Sequence, residues 1–320
     1  MFKLVCALTA FALLVPAGAS AQDWPANQPI RVIVPLTGGS GTDITARLVV
    51  ERMSAKLNQT MLVENRPGAA TVIGSAVVAK ATGDGYTLLV NSSAHTIAPA
   101  LQTLPYDIDS DLKPIIPLGN VTNVLVATAG KFKTLNELIA AAKQKPNNVS
   151  YVSVGLGSTA QLTAELLGLK AGFTALPVPY KGSPEGLRDV AEGRVDFYFC
   201  PLLPALALIR AGKLEPLAVS SSSRSSLLPN VMTVAELGFP EATYNFWIGM
   251  FAPGGTPDAV LDRLHAEAAA ALELPALKAR FANMGQESMP MTRKEFTDYV
   301  RDDLARNVAL VKAADIASKP

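Results

Sequence analysis

Two stretches of this chain pair glycine with hydroxyl side chains where a strand would hand over to a helix. Near the start, Ile30-Arg-Val-Ile-Val-Pro35 runs into Leu36-Thr-Gly-Gly-Ser-Gly-Thr-Asp43; near the middle, Tyr151-Val-Ser-Val154 runs into Gly155-Leu-Gly-Ser-Thr-Ala160. Glycine lets a backbone approach a ligand with no Cβ in the way, and the free N–H groups and positive dipole end of the following helix favour an anion. One such turn in each half would grip the two ends of a dianion. The plain alternative is that each is only a tight turn between a strand and a helix.

Enzyme chemistry is poorly supplied by the same letters. Gly155-x-Gly157-x-x-Ala160 matches a dinucleotide fingerprint, but the next strand ends Val178-Pro-Tyr-Lys-Gly182, with no carboxylate to hold a ribose. Gly41-Thr42-Asp43 has no phosphate-loop lysine, and no Gly-x-Ser-x-Gly elbow occurs. The only histidines available as bases are His95 and His265. His265 sits in an Ala-rich helical pattern with Leu261, Leu264, Ala268 and Leu272 and reads as a core-edge residue. His95 follows a strand in the polar loop Asn91-Ser-Ser-Ala-His-Thr96, at the sheet edge where the first Gly-rich turn emerges; a ligand contact and a local hydrogen-bonding role are both open to it.

The elements that must carry these turns alternate. Strand-like runs fall at 30–34, 86–90, 123–128, 150–154, 195–199, 216–220 and 248–252. Between them lie helical spacings such as Val49, Met53, Leu57 and Leu162, Leu166, Leu169. This alternation predicts an α/β fold with largely parallel sheets. Thr134-x-x-Glu137, Thr233-x-x-Glu236 and Thr292-x-x-Glu295 fit capping boxes, and Thr256-Pro257 fits a cap with proline at the first helical position. The last helix puts Phe296, Val300, Leu304, Val308 and Val311 on one stripe, which predicts that the C-terminal segment docks on a core. The serine-rich stretch 220–226 reads as a hinge or surface loop between lobes.

At 320 residues, 49% hydrophobic, the chain suggests two domains with ample core. Its 28 basic and 27 acidic residues form no basic run, which excludes the electrostatic footprint of nucleic-acid binding. Residues 1–21 read as an export signal: Lys3, an apolar stretch from Leu4 to Val15, a break at Pro16, and Ala19-Ser-Ala21 as a small-x-small cleavage site before Gln22. An apolar run of about 12 residues is too short to span a bilayer, which takes ~20. Cleavage after Ala21 would place the protein in the periplasm and leave Cys200 as the sole cysteine, so no internal disulfide would form. Loss of Lys3 brings the basic residues level with the 27 acidic ones. A neutral protein that binds a dianion must use local dipoles and loop N–H groups rather than a basic surface.

The mature chain resembles the solute-binding proteins of tripartite tricarboxylate transporters, the Bug-type periplasmic receptors. The resemblance is carried by Pro29-Ile-Arg-Val-Ile-Val-Pro35 with the loop ending in Asp43, Glu64-Asn-Arg-Pro-Gly-Ala69, Asp84-Gly-Tyr-Thr-Leu-Leu89, Leu104-Pro-Tyr-Asp107, Gly157-Ser-Thr159, Val178-Pro-Tyr-Lys-Gly182, Ala211-Gly-Lys-Leu214 and Trp247 with Ala252-Pro253 and Gly255-Thr-Pro257. It implies a two-lobed periplasmic binding protein of type II, a flytrap with mixed, mostly parallel sheets. Lobe one would comprise 22–121 and 221–320, and lobe two 122–220. The implied function is capture of a small carboxylate, with no cofactor, metal or catalysis, and delivery by a monomer to integral-membrane permease subunits. By position, the resemblance points to Leu36, Thr37, Gly38, Gly39, Ser40 and Asp43 in lobe one, with Ser92, Ser93 and His95 beside them. In lobe two it points to Gly157, Ser158, Thr159 and Gln161, and to Asp196.

Departures from the family pattern bear on the ligand. Leu36 stands where phenylalanine is common and Ser40 where a glycine is usual, while Val195-Asp-Phe-Tyr-Phe-Cys-Pro201 lacks the polar Asp-Asn pair that often follows the Val-Asp strand. That loss suits a ligand with two carboxylates and an apolar middle, such as terephthalate, with Cys200 in its surroundings; the plainer alternative is that Phe197, Phe199 and Cys200 are the core of a buried strand. Two other functions fit the letters: an exported α/β enzyme using Asp43, Asp196 and His95 as acid–base groups, and a receptor that feeds a sensor kinase.

Overall fold

The computed structural model of the chain describes residues 24–25, 28–155, 157–180 and 182–315; the expected export signal at 1–21 lies outside them. The fold is α/β and two-lobed, each lobe built on its own mixed sheet. The first sheet contains β1 (Ile30–Val34), β2 (Met61–Asn65), β3 (Thr87–Ser92), β4 (Leu112–Val121), β10 (Phe246–Pro253) and β11 (Gln286–Glu287), in the order β11-β4-β10-β3-β1-β2. The second contains β5 (Asn123–Thr128), β6 (Ser150–Ser153), β7 (Leu176–Pro179), β8 (Phe197–Pro201) and β9 (Leu214–Val219), in the order β7-β6-β8-β5-β9. The chain therefore changes sheets at Thr122, between β4 and β5, and again after β9.

The expected parallel pairing holds for β1 with β2 and β3, and for β6 with β7 and β8. It fails for β10 and β5, which run antiparallel to both of their neighbours. These are the first strands the chain enters after each crossover between lobes, with no α-helix in between to reverse its direction.

Helices cover both faces of each sheet. On the first sheet, α1 (Gly41–Leu57), α8 (Asp258–Leu272) and α9 (Pro275–Asn283) enclose one core with Val32, Leu88 and Met250, while α2 (Val72–Ala79) and the start of α10 (Arg293–Ala313) cover Ile33, Trp247 and Phe251 on the other face. On the second, α4 (Leu135–Lys143) and α5 (Thr159–Ala171) bury Leu125, Tyr151 and Phe197, and α6 (Ser183–Ala191) and α7 (Leu202–Arg210) bury Val124, Val152 and Tyr198. The short helix α3 (Ala94–Leu101) follows β3 and contributes Ile97 to the second core.

Local chemistry explains most helix ends. Thr134 caps α4, and Thr292 with Glu295 forms a full capping box on α10. Thr233 and Glu236 exchange the same two hydrogen bonds, at 3.0 and 2.8 Å, but they close a turn and no α-helix follows, only a 3-10 turn at Pro240–Ala242. Helix α8 starts one residue later than expected, with Pro257 at the cap, and Thr256 Oγ1 has no partner among the described residues. In α5 the buried stripe is Leu162, Leu166 and Leu167, with Leu169 facing outward.

The last helix docks as expected, on a face that keeps Phe296, Val300 and Val311 of the expected stripe but turns Leu304 partly and Val308 fully away. Its buried residues are Phe296, Val300, Asp303, Asn307, Leu310 and Val311, whereas Val308 is exposed. Asp303 and Asn307 take the inner positions because Thr96 and Trp247 wait there to be bonded. The far end of α10, at Leu310 and Val311, joins the core of the second lobe, so this helix spans both. The serine stretch after β9 is buried at its start: Ser220 donates its N–H to Asn123 O and its Oγ–H to Tyr244 O.

Candidate ligand-binding site

A cleft of about 560 Å³ lies between the lobes, at the carboxyl ends of their parallel strands. That edge is where strands hand over to helices, and α1, α3, α5, α6 and α7 all turn residues of their first helical turn into the cleft. Converging N-termini favour a negative ligand there. Among the described residues the lining carries no Lys, Arg, His, Asp or Glu; it is Leu36, Ile44, Ile97, Val154, Phe199, Phe246 and similar apolar groups around a few hydroxyls and amides.

The two Gly-rich turns face each other across this space and are built alike. Ser40 caps α1 by accepting Asp43 N–H at 3.3 Å, while Asp43 Oδ2 accepts Gly39 N–H at 2.8 Å. Ser158 caps α5 by accepting Gln161 N–H at 3.4 Å, while Gln161 Oε1 accepts Gly157 N–H at 2.8 Å. In each case the third helical residue bends back and fixes the loop. What this leaves over are the N–H groups of the first two helical residues, Gly41 and Thr42 in α1 and Thr159 and Ala160 in α5, all lining the cleft. Among the described residues none of the four donates a hydrogen bond, as helix geometry requires of a first turn.

Asp43 is buried and serves the loop rather than the cleft. Burial raises its pKa, but hydrogen bonds from Arg47, the Gly39 N–H and Asn65 outweigh this and hold it below the ordinary carboxylate range. Asn65 also donates to Leu36 O at 3.0 Å, so Asp43 and Asn65 together set the shape of residues 36–39. Gly39 takes a φ of +81°, a conformation glycine adopts without strain.

Of the residues singled out from sequence, Leu36, Ser40, Ser92, Gly157, Ser158 and Thr159 line the cleft. Thr37, Gly38 and Gly39 are exposed on the loop beside it. Gln161, like Asp43, stands behind its turn. Ser93 and His95 are buried on the inner side of α3, and the His95 ring lies 4.5 Å from that of Phe251. Burial depresses the His95 pKa to about 3, which makes it a neutral ring at ordinary pH. Cys200 is buried, its S–H directed at Val124 O at 3.6 Å, and burial pushes the thiol up.

Asp196 lies at the opposite edge of the second sheet. It accepts from Ser150 N and Oγ at 2.6 and 2.8 Å and pairs with Lys131, tying the first residue of β6 to the start of β8. Burial raises its pKa, and the bonds from Lys131 and Ser150 more than reverse that. Asp43, Asp196 and His95 are thus not gathered at the cleft as acid–base chemistry would need. Among the described residues no group of His, Cys, Asp or Glu is placed to hold a metal ion, and no helix is long and apolar enough to cross a membrane.

Several lining residues escaped the sequence reading. Gly41, Thr42 and Ala160 act through the peptide group, and their signal was the position just after each cap. Ser183 begins α6 and shares a 2.8 Å hydrogen bond with Tyr198. Asn123, Phe246 and Met284 reach the cleft from distant parts of the chain, and nothing local marks them.

Residues 45–316 match the family described as the tripartite tricarboxylate transporter family receptor. The chain belongs to that family. The receptor is 36% identical to BugT of Bordetella pertussis over 302 residues, 93% of this chain and 92% of that protein. Among solved structures, R. palustris Rpa4515 with adipate is 33% identical with a TM-score of 0.77, covering 92% of the receptor and 99% of that chain. MatC of Rhodopseudomonas palustris, with bound malate, is 28% identical with a TM-score of 0.73, covering 88% of the receptor and 98% of that chain. The receptor is a periplasmic solute-binding protein by family and by fold, with a cleft of the size and polarity its geometry displays.

Proposed function

We propose that the receptor captures a small dicarboxylate with an apolar middle, an aromatic one such as terephthalate being the best fit, and delivers it to the membrane subunits of a tripartite tricarboxylate transporter. The observation that carries this reading is the pair of unengaged N–H groups at the start of α1 and of α5, facing each other across a cleft with no charged side chain among its described lining residues. Each pair would take one carboxylate, and Phe199, Phe246 and Tyr198 suit a flat apolar body between them. The adipate and malate of the two structural relatives belong to the same chemical class.

Capture works by closure. Lobe one, 22–121 with 221–320, and lobe two, 122–220, turn about the crossovers at Thr122 and Ser220, and a dianion bridging α1 and α5 favours the closed form. The permease reads that form. Calorimetric and thermal-shift titration with adipate, malate, terephthalate, an amino acid and a sugar tests the reading. A dicarboxylate at a hundred times its Kd should add about 2.7 kcal/mol of stability. Stabilisation by the amino acid or the sugar and by none of the dicarboxylates would overturn it.

A further inference from the structure

Asn123 opens β5 at the point where the chain passes from one lobe to the other. Its backbone serves that crossover: its carbonyl accepts Ser220 N–H at 3.0 Å from the second crossover, and it pairs in register with Pro201 of β8. Its side chain has no such employment. Asn123 is 3% exposed, yet among the described residues its amide Nδ2 donates to nothing. Other enclosed polar atoms share that condition, including those of Ser93, His95, Thr122 and Asn120, but of that set only Asn123 lines the cleft. Its neighbours on the cleft wall, Val121, Phe199 and Pro201, offer the amide no side-chain acceptor.

A buried donor without a partner is costly and calls for an explanation in the molecule. We propose that Asn123 is a ligand-contacting residue, its amide donating to a carboxylate oxygen of the captured acid. This rests on the reading of the cleft as a carboxylate site and adds to it a side-chain contact, where α1 and α5 supply backbone. The location gives the contact a second consequence. A ligand bonded to Asn123 is bonded to the crossover itself, so occupancy bears directly on the strand about which the lobes turn. An amide also sets selectivity, because a carboxylate there would repel a dianion and an apolar residue would leave one oxygen unmet.

The test uses the whole mature chain with Asn123→Leu and Asn123→Asp, titrated calorimetrically with adipate and terephthalate, alongside melting curves of the free proteins. Asn123→Leu removes the unmet donor, so the free protein should melt no lower than wild type while affinity for the acid that wild type binds falls about tenfold or more. Asn123→Asp should lose more affinity than the leucine variant. A leucine variant that binds with wild-type affinity, whatever its melting temperature, overturns the proposal and makes the amide structural. Should the leucine variant fail to fold, Asn123→Ser decides in the same way, since it shortens the donor without adding bulk. A wild-type protein that binds no carboxylate overturns the reading of the cleft itself, and this proposal with it.

Discussion

Ser40 and Ser158 hold the same post in different lobes: each accepts, on its Oγ, the backbone N–H three residues on, from Asp43 at 3.3 Å and from Gln161 at 3.4 Å. Both also line the cleft, so cap and anion seat share a residue. Aspartate separates the two roles, because it caps a helix as well as serine does but places a negative charge where the carboxylate would sit. Ser40→Asp and Ser158→Asp are expected to melt at or above the wild-type temperature and to lose at least about tenfold in affinity for adipate or terephthalate. Titration beside a melting curve checks this. An aspartate variant with wild-type affinity would move the seat away from that serine.

Gly157 is where one lobe touches the other. Its φ of +68° is left-handed, and a Cβ there would stand 2.2 Å from Leu101 Cδ1 and 3.3 Å from Ile97 Cγ2, both on α3. Gly157→Ala should therefore cost about 1 kcal/mol of backbone strain and also push the start of α5 away from α3, weakening ligand binding. Adding Leu101→Ala removes the obstacle and leaves the strain. The double variant is expected to recover affinity and to keep the lowered melting temperature; a double variant that stays weak would show that the loop conformation, not the contact, is what binding needs.

Both Gly-rich turns were legible because their chemistry is local: a strand, a glycine, a capping serine and the helix it starts occupy adjacent residues. Long-range choices were not. Strand β4 hides behind Pro114 and Pro117, which disqualify a central strand. The structure tolerates them because β11 pairs with β4 only at Val121 and Asn120, so at the prolines β4 is an edge, and its ladder with β10 shifts register there. The Thr233 box fixes only a turn: Val234, Leu237 and Phe239 pack on the core, but Gly238 at a φ of +96° and Pro240 stop the chain before an α-helix can grow. The cleft's far wall, with Asn123, Phe246 and Met284, depends on which strands cross between sheets, a fact that no short window contains.

His95 should make the fold acid-sensitive. Both ring nitrogens are buried without a partner among the described residues, and burial lowers the pKa from 6.5 to about 3. Between those values the unfolded chain binds a proton that the folded chain refuses, so stability is complete above pH 6.5 and falls as the pH drops toward 3, by up to about 1.4 kcal/mol per unit. His95→Leu should flatten that part of the curve of unfolding free energy against pH. An unchanged slope in the variant, measured by urea denaturation from pH 7 to 4, would assign the effect to other groups.

The inner face of α10 makes a prediction that runs against hydrophobicity. Asp303, 2% exposed, accepts from Thr96 Oγ1 at 2.6 Å, Trp247 Nε1 at 3.0 Å and Asn307 Nδ2 at 3.2 Å, and pairs with Arg306, whose guanidinium lies over the Tyr244 ring. One carboxylate thus fastens α10 to α3 and β10. Removing it strands the buried Trp247 indole N–H and takes an acceptor from Thr96 and Asn307, so Asp303→Ala is expected to cost about 3 kcal/mol or more, and Asp303→Asn less, because the amide oxygen still accepts. Val308, apolar and 44% exposed on the same helix, faces water, and Val308→Ser should change stability by no more than about 0.5 kcal/mol. Denaturant unfolding of the three variants orders them. If the serine variant proved weaker than the alanine one, the helix would be held by its apolar stripe after all, and the polar seam on its inner face would contribute little.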